Sequence, residues 1–167
     1  MSAPTTTTTL ANGVNVDQLV ATINAIKANP SLAQFKFRAE TEWVDGGHSR
    51  TTIQGFYGAG QEDVSRARPF VLHALASCLS VGFIYNAAAQ GIRVEALSFR
   101  LEGDIDLHGF LGLSGQVRPG YQGIRLSYQV KSDAPREKIE ALCEYVQRTS
   151  PVLDIIRNPV PVTISLE

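Results

Sequence analysis

The period of the hydrophobic pattern changes several times along the chain, and each change marks an element. Leu19, Ile23 and Ile26 recur at helical spacing. They predict a helix beginning near Gln18, capped by Asn15 or Asp17 and ended by Asn29-Pro30. From Phe35 the period drops to two. Phe35, Phe37, Ala39, Thr41 and Trp43 alternate with Lys36, Arg38, Glu40 and Glu42, as in a strand with one wet face. Asp45-Gly46-Gly47 predicts a turn, Ser49 to Tyr57 the hairpin partner, and the polar stretch Gly58 to Arg68 a loop.

Val71 to Gln90 is the dominant helix, with Gly91 suited to end it in the left-handed region. Its apolar residues lie all round, which predicts burial on nearly every side. A domain of this size hardly covers such a helix alone, so a second copy is expected to supply the missing cover. Ser98 to Leu107 alternates again, Gly109-Phe110-Leu111-Gly112 is a glycine-flanked apolar turn, and Ile124 to Lys131 alternates once more. Asp133, as cap, and Pro135 start another helix, with Ile139, Leu142, Cys143, Val146 and Ser150 at helical spacing and Pro151 restricting it. Val160 to Leu166, interrupted by Pro161, predicts a final edge strand. The order α, ββ, long α, ββ, α, β points to an α+β fold with a mostly antiparallel sheet. There is no repeat and no internal boundary. Residues 1–14, rich in threonine, read as a disordered tip, and residues 15–167 as one domain.

Composition narrows the function classes. The 167 residues are 44% hydrophobic and 19% charged, enough for a core and below the charge of an average soluble domain (about 25%). Fifteen basic against sixteen acidic residues leave a net charge of −1. That removes the electrostatic case for nucleic acid or an anionic membrane surface. Two cysteines exclude a disulfide scaffold, and the three histidines and two cysteines show no metal-ligand spacing. No metal or other cofactor is expected. Polar residues within Val71 to Ala89, among them His73, Ser77, Ser80 and Asn86, favour a buried helix over a membrane span. The start of the chain has neither the basic residues nor the apolar core of a secretory signal, and cytoplasm is the expected compartment.

Cys78, inside the long helix beside Ser77, is the side chain with most chemical potential. A cysteine there is ordinarily a small buried hydrophobe. A reactive thiolate needs a cation to depress its pKa, and no basic residue lies within one turn. The cation has to come from another segment, where Arg50, Arg66 and Arg68 are available. Cys143 reads as a core residue; it becomes a redox partner of Cys78 only if the two helices bring their Cα atoms within about 7 Å. His73 reads as a hydrogen-bonded core histidine and His48 as an exposed turn residue. Glu102, Asp104 and Asp106 form one solvated strand face rather than an acid–base pair.

The run His73-Ala-Leu-Ala-Ser-Cys78-Leu resembles the Leu-Ala-Ala-Cys helix of the osmotically inducible protein C and organic hydroperoxide resistance (OsmC/Ohr) family. Asp104-Ile-Asp106-Leu-His-Gly109 is similar to that family's D-x-x-G strand and turn. Ser132-Asp133-Ala134-Pro135, Ser150-Pro151-Val152 and Val160-Pro-Val162 follow in the family's order. The resemblance covers about residues 35 to 167. It implies an intertwined homodimer, with antiparallel sheets wrapped around long central helices and sites at the subunit interface. It also implies a thiol-dependent peroxidase. Cys78 would attack an organic hydroperoxide and become a sulfenic acid, and a dithiol reductant would restore it.

Three departures bear on that implication. Ser150 stands where the family has its second cysteine, and a hydroxyl cannot resolve a sulfenic acid as a disulfide; Cys143, two turns away, is the substitute to consider. The Glu that the family carries about ten residues before its reactive cysteine is missing from Arg66 to Val71, and the join at Phe70-Val71 reads as if a loop were absent. The family's Arg often follows a Gly-Gly turn directly; here His48 holds that place and Arg50 becomes the candidate. Two functions follow: a hydroperoxide reductase using Cys78, Arg50 and Cys143, or a dimeric binding module that kept the fold and lost the redox cycle.

Overall fold

The computed structural model describes residues 10–11, 14–53, 56–58, 61–63 and 70–166. Two short strands, β1 (Leu10–Ala11) and β2 (Val14–Asn15), pair with each other. The rest of the predicted disordered tip lies outside the described residues. Helix α1 (Val16–Ala28) stops where expected: the Asn29 carboxamide accepts the Ser31 amide at 3.2 Å and starts the single 3₁₀ turn Pro30–Ala33.

The alternating segments become the sheet. Strand β3 (Gln34–Asp45) turns through Gly46 into β4 (His48–Ile53), and β5 (Phe56–Gly58) also pairs with β3, at Lys36–Tyr57. Gln61–Asp63, expected in a loop, instead forms β6 and pairs with β5. After helix α2 (Phe70–Ala89), the long strand β7 (Val94–Asp106) pairs antiparallel with β3. The one-turn helix α3 (Leu107–Phe110) leads by a loop to β8 (Gly123–Ser132), on the far side of β7. Along the sheet the order is β6-β5-β3-β7-β8, with β4 attached to β3. Helix α4 (Arg136–Thr149) and then α5 (Pro151–Arg157) follow. The fold is α+β with an antiparallel sheet.

Helix α2 lies on this sheet. It begins at Phe70, so the Phe70–Val71 join is its first step. At its end Gly91, with φ of 68°, lets the Gly91 and Ile92 amides turn back onto Ala88 and Ala87. Leu72, Leu75, Ala76, Leu79, Phe83 and Ala87 are buried against Ala39 of β3, against Leu97, Phe99 and Leu101 of β7, and against Leu142 and Val146 of α4. Phe99 and Phe83 pack on the Tyr128 ring at centroid distances of 4.9 and 6.1 Å. A Cβ on Gly82 would stand 3.2 Å from Val146, so the missing side chain lets α4 approach α2 closely.

Three expectations need correction. Helix α2 is not buried on nearly every side: Phe70 (67%), Tyr85 (64%), Val71 and Val81 are exposed. One sheet and one helix pair cover only part of a cylinder, and this helix has no polar face to turn outward. Val160 to Leu166 is not a strand. It leaves α5 without pairing, and Ile164 is 90% exposed. Alternation supplies the side chains for a strand, but within one chain no sheet edge takes this one. Asp133 does not cap α4, whose N-cap is Pro135; its carboxylate accepts the Arg93 amide at 3.1 Å and ties the start of β7 to the end of β8.

The strand face expected to be solvated divides. Asp104 and Glu102 are bridged by Arg125, with Arg125–Asp104 contacts of 2.5 and 3.1 Å. Asp106 is only 7% exposed. It accepts the His108 amide at 2.9 Å, the His108 ring at 2.8 Å and the Gln34 side chain at 2.7 Å. Three residues on, a Cβ at Gly109 would collide with the Arg118 carbonyl, so only glycine admits the returning loop. Burial alone would raise the Asp106 pKa, but the hydrogen bonds from His108 and Gln34 outweigh it and leave it below the ordinary carboxylate value. A depressed pKa in the folded state stabilises above the unfolded value, about 3.9, and that contribution is lost as pH falls through the folded pKa. Asp106→Asn should cost about 1–3 kcal/mol at pH 7. It should also lose less stability than the wild type as pH falls below about 4, read as urea midpoints across the pH range.

Candidate functional site

Cys78 sits midway along α2, partly buried, at the border between the packed face and the exposed stripe. Its sulfur is 3.2 Å from the Ser150 hydroxyl. Ser150 is fixed by its place in the chain: it is the C-cap of α4 and the N-cap of α5, with its Oγ accepting the Leu153 amide at 3.2 Å. The predicted interruption at Pro151 is therefore a junction between two helices. Pro151 opens the second, where its missing N–H costs nothing. The Ser150 O–H remains free to donate to sulfur. When Cys78 is a thiolate, the hydroxyl is necessarily the donor.

The other residues singled out in the sequence fall elsewhere. Arg50 pairs in register with Glu42 on β3, and its neighbour Thr51 shares a 2.8 Å hydroxyl contact with the buried Thr41. Successive strand residues point to opposite faces, so Arg50 lies on the solvent face, away from α2, and no hydrogen bond or ion pair joins it to Cys78 within one chain. Cys143 is half-buried and stands seven residues before Ser150, about 10 Å along the helix. It opens on a separate cleft between α4 and β8, beside Tyr128, Val130 and Ile139. Burial, with help from Glu140, pushes the Cys143 thiol up. The nearby Tyr128 hydroxyl is buried without a hydrogen-bond partner, and burial raises its pKa too. Both cysteines are free. His73, expected in the core, is exposed; His48 is exposed as expected.

Between α2, β8 and α5 lies a cavity of about 620 Å³, within the range of small-molecule sites, whose lining includes neither Cys78 nor Ser150. Its apolar wall comes from Val71, Leu75 and Leu79 of α2, Ile124 and Leu126 of β8, and Leu153 of α5. Leu75 and Leu79 bracket Cys78 on the helix, and Leu153 donates the amide that holds Ser150. Arg118, Tyr121, Gln147 and Arg157 add the polar part. Burial pushes the Tyr121 hydroxyl up to about 12. None of these polar residues stands out in the sequence, because a loop and two helices bring them together and no local pattern links them.

The sequence matches the family described as OsmC-like protein over residues 68–165, more than half of the chain. The chain belongs to the OsmC-like family. In structure it is similar to an OsmC-like hydroperoxide resistance protein from Jannaschia sp. CCS1, with a TM-score of 0.59 and 15% identity over 81% of this chain and 94% of that one. An OsmC-like protein from Mycoplasma pneumoniae aligns with a TM-score of 0.49 and 16% identity, over 72% of this chain and 86% of the other. No curated protein sequence is recognisably similar. Both structural likenesses are at low identity, and the first shows the OsmC-like fold.

This OsmC-like chain thus holds a thiol and a hydroxyl in contact, where a second thiol would be within bonding range after a small rotation. Ser150→Cys should form a disulfide with Cys78 under mild oxidant. Thiol titration should then lose two thiols per chain, with Cys143 still free. Retention of all three thiols under that oxidant would show that positions 78 and 150 do not meet in solution.

Proposed function

We propose that this OsmC-like protein is a homodimeric, cysteine-dependent reductase of organic hydroperoxides, with Cys78 as the reacting group. The observation that carries the reading is the Cys78–Ser150 contact at 3.2 Å, at the border of the exposed apolar stripe of α2. The similarity to a hydroperoxide resistance protein supports it. In the reaction the Cys78 thiolate attacks the distal oxygen of R–O–O–H. The S–O bond forms as the O–O bond breaks, and the leaving alkoxide takes a proton to become an alcohol. Cys78 is oxidised by two electrons to a sulfenic acid, and the hydroperoxide is reduced. Ser150 stabilises the attacking thiolate by hydrogen bonding and cannot form a disulfide. Cys143 is remote from the pair, and its raised pKa keeps it protonated at neutral pH. An external thiol therefore attacks the sulfenic sulfur with loss of water, and a second thiol breaks the mixed disulfide. A thiol-fed cycle suits the cytoplasm, where reductants hold thiols reduced.

The homodimer rests on exposed apolar surface. The stripe of Phe70, Val71, Val81 and Tyr85 adjoins Cys78, and Val160, Val162, Ile164 and Leu166 project into solvent. A second copy covering the stripe also completes the site. Arg50 lies on the solvent face within one chain, and Arg66 and Arg68 lie outside the described residues, so the cation beside the thiolate comes from that segment or from the second copy. Light scattering at micromolar concentration should give twice the 18.1 kDa mass of one chain. Val81→Asp should shift it toward a single chain.

The activity test is direct. Reduced protein supplied with a small thiol should consume cumene hydroperoxide faster than hydrogen peroxide, because exposed apolar side chains of α2 surround Cys78. Cys78→Ser should abolish turnover and Cys143→Ser should leave it near wild type; equal rates for Cys78→Ser and wild type would refute the reading. Ser150, in place of a second thiol, also favours another reading, a binding module without a redox cycle. Slow alkylation of Cys78 at pH 6, together with no peroxide consumption, would select it.

A further inference from the structure

We infer that Val160 to Leu166 is a strand that one chain lends to another, added to the free edge of β8 in a second copy. The inference rests on the homodimer proposed above and names the backbone contact that ties its copies together. Two features of one chain are each incomplete alone and fit each other. The first is the tail after α5. Val160, Val162, Ile164 and Leu166 stand at every second position and are exposed. Pro159, Pro161, Thr163 and Ser165 occupy the positions between. In an extended chain the N–H and C=O of one residue point to the same edge, and successive residues point to opposite edges. Both prolines therefore fall on one edge of such a strand, and it has to face water because prolines donate nothing. The other edge keeps the amides of Val160, Val162, Ile164 and Leu166. Side chains alternate with the same period, so these four also share one face.

The second feature is the edge of β8. The sheet ends in β6, with three residues, and in β8, with ten. Among the described residues β8 pairs only with β7. A ten-residue edge without proline is an open template for a further strand. The core-facing residues of β8, Ile124, Leu126, Tyr128 and Val130, are only half-buried, and beside them the cleft of about 540 Å³ between β8 and α4 stays open. The tail, about 23 Å long when extended, fits within the roughly 33 Å of β8 and would lay its apolar face along that row. A chain cannot do this for itself in the sheet's own pattern. Helix α5 ends at Arg157, which lines one cavity with Gly123, so the tail starts near the first residue of β8. From there it could join its own β8 only in parallel, against an antiparallel sheet, and it is left unpaired. The tail of a second copy can approach from the Ser132 end, and two-fold symmetry then lets each chain give one strand and receive one.

The test uses the full chain and two prolines one residue apart. Ile164→Pro removes an amide aimed at β8 and should raise the dimer dissociation constant roughly tenfold or more, whereas Thr163→Pro only adds to the wet edge and should leave it within about twofold. Ile164→Ala, which shortens the side chain and keeps the amide, should fall between them. Equal effects of the two prolines, or equal effects of Ile164→Pro and Ile164→Ala, would overturn the strand exchange. A second measurement shows which chain receives the tail. An isotope-labelled chain is mixed with an unlabelled one carrying a nitroxide at Ser165→Cys, both with Cys78→Ser and Cys143→Ser. The nitroxide should broaden the β8 amides of the labelled chain. Broadening only when both labels sit on the same chain would mean that the tail joins its own sheet, and no broadening in a dimer would mean that the copies meet elsewhere; either result overturns the exchange and leaves the homodimer standing. A single-chain mass for the wild type in light scattering would overturn both.

Discussion

The structure depends on one mismatch: α2 is apolar around its whole circumference, and a single sheet with one helix pair can cover only part of it. The covered part builds the core. Leu72, Leu79 and Phe83 are each at most 1% exposed, and the aromatic contacts of Phe83, Phe99 and Tyr128 join helix to sheet. The uncovered part, from Phe70 to Tyr85, is what a lone chain cannot resolve. Cys78 stands on the line between the two, which gives it both a packed neighbour, Ser150, and a route to whatever meets the stripe. Site and assembly are thus set by one helix.

The strands were legible because alternation is a local signal. The paired segments of β3 and β7 follow the periods read from Phe35 to Trp43 and from Ser98 to Leu107, and each starts earlier in the structure because ends depend on neighbours. The elements that were not legible depend on distant chain. Val160 to Leu166 has a strand's side chains and no edge to pair with in its own chain. Asp133 looks like a cap, yet the Arg93 amide, forty residues away, takes its carboxylate. Gln61–Asp63 reads as loop because its three polar residues give no period, and β5 makes it a strand.

The candidate site divides in the same way. Cys78 was found by resemblance, since its own helix gives it the ordinary surroundings of a core cysteine. The Ser150 substitution was visible too, but its contact with Cys78 across 72 residues was not. Arg50 was chosen by its distance from a glycine turn. The two-residue period of β4, fixed by the Thr41–Thr51 contact, places it on the opposite face. Arg118 and Arg157 had no sequence signal at all.

Why a serine should persist where a thiol would close the redox cycle has a structural answer. Ser150 is asked to do two things. It caps α5 by accepting the Leu153 amide, and it faces the Cys78 sulfur. Serine is among the best N-caps, and loss of such a cap costs about 1 kcal/mol. A cysteine engaged in a disulfide would have to turn its sulfur from the Leu153 amide toward Cys78, leaving the first turn of α5 with an unpaired donor. The hydroxyl satisfies both neighbours at once, and a thiolate at Cys78 makes its donor role stronger. The chain therefore gains a well-held junction between α4 and α5, and in the proposed cycle the oxidised sulfur of Cys78 is left open to an outside thiol. On that proposal, substrate and reductant use the same exposed border of α2, one after the other.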